Sequence, residues 1–355
     1  MGLFDLTVNG IKTADKAAAE EALKRIDSLI KPIGSLGELE NIAVKLSGIT
    51  GKIHNKIQKK CVVVMSADNG ICEEGVSTCP QSITIMQTIN ILKGIAGVSV
   101  LSRFANSDLR VVDIGINGDV EYNGLINRKI RKGTSNMAKG PAMSTEEAVK
   151  AIEAGIEIVN GLKKDGYDLL GTGEMGIGNT STSSAILMAF TGLHADFAIG
   201  KGAGMTEEGF ADKKRIIEKV LDVNSPDKNN PLDVLSKVGG FDIAGMAGCF
   251  LGAAYNRVPI VIDGVISAAA ALVAYKINPA VKDFMIPSHI SAEPGYRYIM
   301  DEIGLKPYLD MGMRLGEGSG CPLAFNLIEA STEIMNKMAT FDEAMMDGDF
   351  MVDIR

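Results

Sequence analysis

The stretch CVVVMSADNG, residues 61–70, decides the fold. It is a short β-branched run closed by Asp68, Asn69 and Gly70, the pattern of a strand buried on both faces. The same grammar recurs in LRVVDIGING (109–118), YDLLGTGEMG (167–176), PIVIDG (259–264) and DFMIPS (283–288). Apolar-periodic segments separate these runs, over residues 84–104, 145–163, 183–190 and 266–275. Strands alternating with helices predict an α/β fold, a parallel sheet with helices on both faces. Loops at the strand C-termini then form the site. Outside this core, residues 14–30 show helical spacing, with Ala17, Leu23, Ile26 and Ile30 on one face. The break at 32–37 ends that helix, and a second helix over 38–49 follows. Residues 323–351 read as helical and Met-rich. The termini are therefore expected to form a small helical subdomain, dividing the chain into 1–60, 61–325 and 326–355.

Composition narrows the function classes. With 355 residues, 46% hydrophobic and 23% charged, the chain is an ordinary globular sequence able to bury a substantial core. A net charge of −8 argues against a nucleic-acid partner. The five cysteines are scattered without a CxxC pair and the three histidines lie far apart, so neither a zinc site nor a disulfide framework is expected. A reducing cytoplasm fits best. The N-terminus lacks the long apolar core of a secretory signal. The most apolar stretch, Val258 to Tyr275, is interrupted by Asp263 and Gly264, and reads as a buried strand and helix with no membrane span.

Four groups could carry chemistry. In RLGEGSG (314–320), Glu317 lies between glycines, which let a ligand approach the backbone, and a carboxylate so placed can act as general base. The plainer reading is that it complements the positive end of the following helix. In GTGEMGIGNTSTS (171–183), a strand leads into a helix start that would point backbone N–H groups at an anion. Gly171, Gly173 and Gly176 satisfy G-x-G-x-x-G, but Glu174 would repel a diphosphate, and no Walker lysine follows. A monophosphate is the more economical ligand; the plainer reading is a helix start rich in capping residues. The third group is GKGAG (200–204) followed by Lys213, where a lone lysine is far more often a solvated surface charge. The fourth is SHISAEPGY (288–296), whose His289 reads as a satisfied structural histidine. The basic run 128–132 reads as a solvated face. No G-x-S-x-G elbow or metal-ligand spacing occurs, so metal-free chemistry on an anionic substrate, with one carboxylate as base, is expected.

At KPIGSLGELE (31–40), ADNGICEEGVS (67–77), GEMGIGNTSTSSA (173–185) and RLGEGSG (314–320), the chain resembles the nicotinate-nucleotide:5,6-dimethylbenzimidazole phosphoribosyltransferase family. VVDIGI, GKGAG, VIDG and SHISAEPG also fit, and the resemblance spans nearly the whole chain. It implies a Rossmann-like large domain and a small helical domain, assembled as a dimer. It also implies transfer of the phosphoribosyl group of nicotinate mononucleotide to an aromatic lower-ligand acceptor of cobamides. An α-ribotide and nicotinate would result, without a cofactor. Glu317 matches the family's base. Matched positions and the two glycine loops together give a substrate-binding set of Glu174, Gly176, Gly178, Asn179, Thr180, Gly202, Lys213 and Ser291. Met86, Met175 and Leu315 fall at acceptor-pocket positions.

Three departures stand out. Asn69 and Tyr296 occupy positions where the family usually has histidine, and Met86 stands where it often has a glutamine able to bond a benzimidazole nitrogen. An apolar acceptor pocket is similar to that of the branch activating phenol and p-cresol, whose members pair as two non-identical chains. This chain would then be the active, Glu-bearing partner. Two rivals remain at this level: an NAD-dependent oxidoreductase, on the glycine pattern, and a non-catalytic subunit of a heterodimer.

Overall fold

The computed structural model describes residues 2–202, 204–348 and 352–355. Six strands form one parallel sheet: β1 (Lys60–Ala67), β2 (Asp108–Gly115), β3 (Leu125–Asn127), β4 (Leu169–Met175), β5 (Ile260–Ile262) and β6 (Met285–Pro287). Their order is β3-β2-β1-β4-β5-β6, the Rossmann order, with β1 central and buried along its whole length. Side chains of β1 alternate between two cores, as the pleat requires. Cys61, Val63, Met65 and Ala67 pack under the helices Thr145–Lys164, Phe241–Tyr255 and Val265–Ile277. Val62 and Val64 face Glu38–Thr50 and Gly320–Lys337. Local sequence sets the helix starts: Ser144 and Glu147 close a reciprocal capping box at the head of Thr145–Lys164.

Five of the six strands match the sequence reading. The sixth, β3, has only three residues, too few for an apolar run to mark it. The segment 84–104 is two helices, Ile83–Leu92 and Gly97–Phe104, because Gly94 adopts φ +80° between them. As one 22-residue stretch it would be long and apolar enough to cross a membrane, but the break divides it. The stretch Val258 to Tyr275 is the buried strand β5 and a buried helix, as expected.

The terminal segments differ from expectation in three ways. Leu3–Gly10 packs on the α/β body, where the Phe4 N–H donates to Glu153 Oε1 at 3.0 Å and Asn278 Nδ2 donates to the Val8 carbonyl at 3.0 Å. Only Lys16–Asp27 and Glu38–Thr50 join the C-terminal helix around a separate small core of Ala22, Ile26, Leu29, Ala43 and Met335. That helix, Gly320–Lys337, crosses the expected boundary at 325/326, with Cys321 and Phe325 on the sheet and Met335 in the small core. It stops at Lys337, so 338–348 are not helical, and 349–351 lie outside the described residues. The basic run 128–132 is not a plain solvated face either. Lys129 pairs with Asp113 at 3.1 Å, and Arg131 donates to Glu147 and to the Ala142 carbonyl.

Candidate active site

Loops leaving β1, β4, β5 and β6 converge with the turn 314–317 on one cavity of about 230 Å³. It lies at the carboxyl ends of the strands, where open α/β sheets bind ligands. Gly316, Glu317 and Gly318 all have positive φ, at 81°, 63° and 96°. For a residue with a side chain this costs about 1–2 kcal/mol, so Glu317 is held there by its surroundings. The turn lies against β4: a Cβ on Gly173 would meet the Glu317 carbonyl at 2.2 Å.

The Glu317 carboxyl group is 6% exposed and lines the cavity. Its Oε1 accepts from Gln87 Nε2 at 2.6 Å, and its Oε2 accepts from the Val98 N–H at 3.1 Å, in the first turn of Gly97–Phe104. It does not cap the helix that follows it. Asp263 does that, its two oxygens accepting from the Gly318 and Gly320 N–H groups at 3.0 and 2.7 Å. The bland role weighed for Glu317 therefore belongs to Asp263, a residue the sequence reading did not single out.

Glu174, next to last in β4, accepts from the Glu317 N–H at 3.2 Å and from the Asn179 amide. Asn179 also donates to Asp242 Oδ2 at 3.0 Å. Burial, reinforced by the Asp242 charge, pushes Glu174 up to about 8. Burial raises Asp242 to about 6, against the hydrogen bond from Asn179, and Asp263 to about 7, against the N–H groups of Gly320 and Gly318. At neutral pH Glu174 is mostly protonated, which removes the repulsion an anionic ligand would otherwise meet there.

The cavity wall also carries groups that can hold an anion. Gly176 and Gly178 form the turn into Asn179–Thr191, and Thr180 stands in its first turn. Lys213 is 1% exposed, contrary to the surface charge expected of a lone lysine. Its Nζ donates to Thr180 Oγ1 at 3.2 Å and to the Gly200 carbonyl at 3.0 Å; burial lowers its pKa and the Glu293 charge opposes that. Gly202 lines the cavity beside Thr180, with its N–H on Glu293 Oε1 at 3.1 Å. Ser291 lines the wall after β6, and His289 beside it is buried with Nδ1 2.9 Å from Ser288 Oγ. The structure thus gathers Glu174, Gly176, Gly178, Asn179, Thr180, Gly202, Ser291 and Glu317 on one cavity, with Lys213 directly behind Thr180.

Of the acceptor-pocket residues, Met175 and Leu315 line the cavity and Met86 does not. Met86 is 57% exposed on Ile83–Leu92; the next residue, Gln87, rotated about 100° around the helix, faces inward. Asn69 and Tyr296 do not line the cavity either. Both are buried, Asn69 accepting from Thr182 Oγ1 at 3.3 Å. The sequence reading also missed Arg314, which is exposed at the mouth and lines both this cavity and an adjoining cleft against Gly200 and Lys201. The G-x-G-x-x-G match is not a dinucleotide turn. Gly171 and Gly173 lie within β4, packed on Cys321 and on Glu317 and Gly318.

Comparison with known proteins identifies the family. A family model described as phosphoribosyltransferase matches residues 11–346. A nicotinate-nucleotide–dimethylbenzimidazole phosphoribosyltransferase of Clostridium tetani is 58% identical, covering 100% of this chain and 98% of its own. The enzyme of that name in Clostridium acetobutylicum is 52% identical, over 96% and 97%. The crystal structure of the enzyme so named from Thermus thermophilus superposes with a TM-score of 0.89 at 37% identity, covering 94% of this chain and 99% of that one. The chain belongs to the phosphoribosyltransferase family.

Proposed function

We propose that this protein transfers the phosphoribosyl group of nicotinate mononucleotide to a benzimidazole acceptor, releasing nicotinate and an α-ribotide phosphate for cobamide assembly. The observation that carries this reading is the Glu317 carboxylate, buried in a cavity whose far end is an anion cradle. The names of the full-length relatives support both substrates. Lys213, Thr180 and the Gly176 and Gly178 N–H groups would hold the 5′-phosphate, with the ribose between them and Glu317; the Ile177 N–H is taken by Thr84 Oγ1 at 3.2 Å. The acceptor nitrogen's lone pair forms the new bond to C1′ as the old C1′–N pair returns to the pyridinium ring, which leaves as neutral-ring nicotinate. Attack from the opposite face turns β into α. The acceptor's N–H proton passes to Glu317, a contribution of roughly 10²–10⁴-fold. Positioning of the two substrates supplies much of the remainder.

A phenolic acceptor is the weaker choice. That reading depended on the Met86 thioether replacing an amide, and Gln87 returns an amide to the cavity. Met175 and Leu315 suit any flat aromatic ring. The exposed apolar side chains of Met86, Ile95, Phe104 and Leu315 support a dimer in which a second chain covers this face. Five free cysteines fit a reducing cytoplasm.

The test is to incubate the purified protein with nicotinate mononucleotide and equimolar dimethylbenzimidazole and p-cresol, and to identify products by mass spectrometry. Benzimidazole ribotide should dominate. Phenolic ribotide in excess would overturn the acceptor, and absence of both would overturn the transferase reading.

A further inference from the structure

Asp242 is a buried carboxyl group to which the reaction above gives no task. It stands in the first turn of Phe241–Tyr255, fully shielded from solvent. Its Oδ1 accepts from the Ile243 N–H at 3.0 Å and its Oδ2 from Asn179 Nδ2 at 3.0 Å. The same Asn179 amide donates to Glu174 Oε2, so one NH₂ group spans the two carboxyl groups. Asp242 also lies against Gly176, where a Cβ would meet its Oδ2 at 2.8 Å. Glu174, Gly176 and Asn179 line the cavity and Asp242 does not. It therefore supports three cavity residues from behind, Glu174 through the shared amide, and is out of a ligand's reach.

The charges that act on Glu174 have one sign. Asp242 faces it from Phe241–Tyr255 and Asp263 from the loop after β5, while Glu317 follows on the turn whose N–H meets its Oε1. His289, 3.9 Å from Asp263 Oδ1, is a basic group on this wall, and burial lowers its pKa. Lys213 bonds to neither carboxyl group. Burial, and after it the Asp242 charge, keeps the Glu174 proton in place up to about pH 8. Asp242 is itself raised by burial only to about 6, so it carries its charge at neutral pH. Both Glu174 oxygens already accept a hydrogen bond, which leaves the acid's O–H for the cavity. An ionised Glu174 could only accept.

We propose that Asp242 is a positioning residue for the nucleotide: through the Asn179 amide and the Gly176 turn it keeps Glu174 a proton-bearing acid that donates to a hydroxyl of the bound ribose. The proposal rests on the transferase reading and deepens it, adding a residue that never touches substrate.

The test is the pH dependence of kcat/KM for nicotinate mononucleotide, measured on the full-length protein with saturating dimethylbenzimidazole. The unsubstituted protein should lose kcat/KM above about pH 8, as Glu174 ionises. Asp242→Asn keeps the shape and removes the charge, so the fall should begin about 1 pH unit lower. Asp242→Glu, which restores the charge, should bring it back up. Glu174→Gln cannot ionise; its profile should stay flat over that range, and adding Asp242→Asn should then move nothing. If Asp242→Asn fails to fold, Asp242→Ser removes the same charge in less space and serves instead. A loss from Asp242→Asn that is equal at every pH would overturn the proposal, because a merely structural residue behaves so. So would an alkaline fall that survives Glu174→Gln. Failure of the transferase reading looks different: the unsubstituted protein would then form no ribotide at any pH.

Discussion

The cavity holds its charged groups differently from two buried ion pairs elsewhere in the chain. At one end Glu317 is held by neutral donors, the Gln87 amide and the Val98 N–H. At the other, Lys213 Nζ donates to neutral acceptors, Thr180 Oγ1 and the Gly200 carbonyl, and the Glu293 charge acts on it without a direct ion pair. Buried lysines away from the cavity are paired: Lys31 with Glu40 at 2.8 Å, and Lys60 with Glu329 at 2.6 Å. A charge fixed by neutral groups keeps its field for an incoming ligand, whereas a paired charge has spent it within the fold. Among the three buried lysines of the described residues the contrast sets Lys213 apart from the two structural pairs.

Substitutions can break that contrast in order of size. Glu317→Gln should lower kcat by roughly 10²–10⁴-fold. Lys213→Met should act on the nucleotide instead, raising its KM by about 10- to 100-fold, as for a lost hydrogen bond to a charged group. The penalty should vanish with nicotinate riboside, which lacks the phosphate. At a structural pair, Lys31→Met should leave kcat unchanged and lower stability by about 3–5 kcal/mol, because Glu40 is left buried and unpaired, a loss read by urea denaturation. A further effect concerns pH. Glu174, raised to about 8, holds in the folded state a proton that the unfolded chain releases in the ordinary carboxylate range. Stability should therefore fall as pH rises from about 4.5 to about 8. Glu174→Gln, which carries no such proton, should reduce that slope in thermal melts, leaving the part from Asp242 and Asp263, which burial also raises.

Much of this was legible in the residues. The strands β1, β2, β4, β5 and β6 announce themselves as β-branched runs ending in small polar residues, and the closing residues of β4 and β5 supply part of the cavity wall. The helix Phe241–Tyr255 was not legible, since it is buried on nearly every side and therefore carries no polar–apolar period. Lys213 looked like a surface charge because its burial depends on the 200–202 loop folding over it, a contact between distant segments. Gln87 was missed through helical phase. Thr84, Thr88 and Ile91 mark the buried stripe of Ile83–Leu92, and Gln87 at i+3 from Thr84 shares it. Met86 at i+2 points away, so a position assigned by resemblance to the family fell on the wrong face.

The most direct measurement combines calorimetry and single-turnover kinetics on Glu317→Gln. Nicotinate mononucleotide should bind as it does to the unsubstituted protein, while ribotide formation from the bound nucleotide slows by at least about 100-fold. Turnover close to that of the unsubstituted protein would contradict a proton-accepting Glu317, and with it the division of the cavity into a basic end and an anion-holding end.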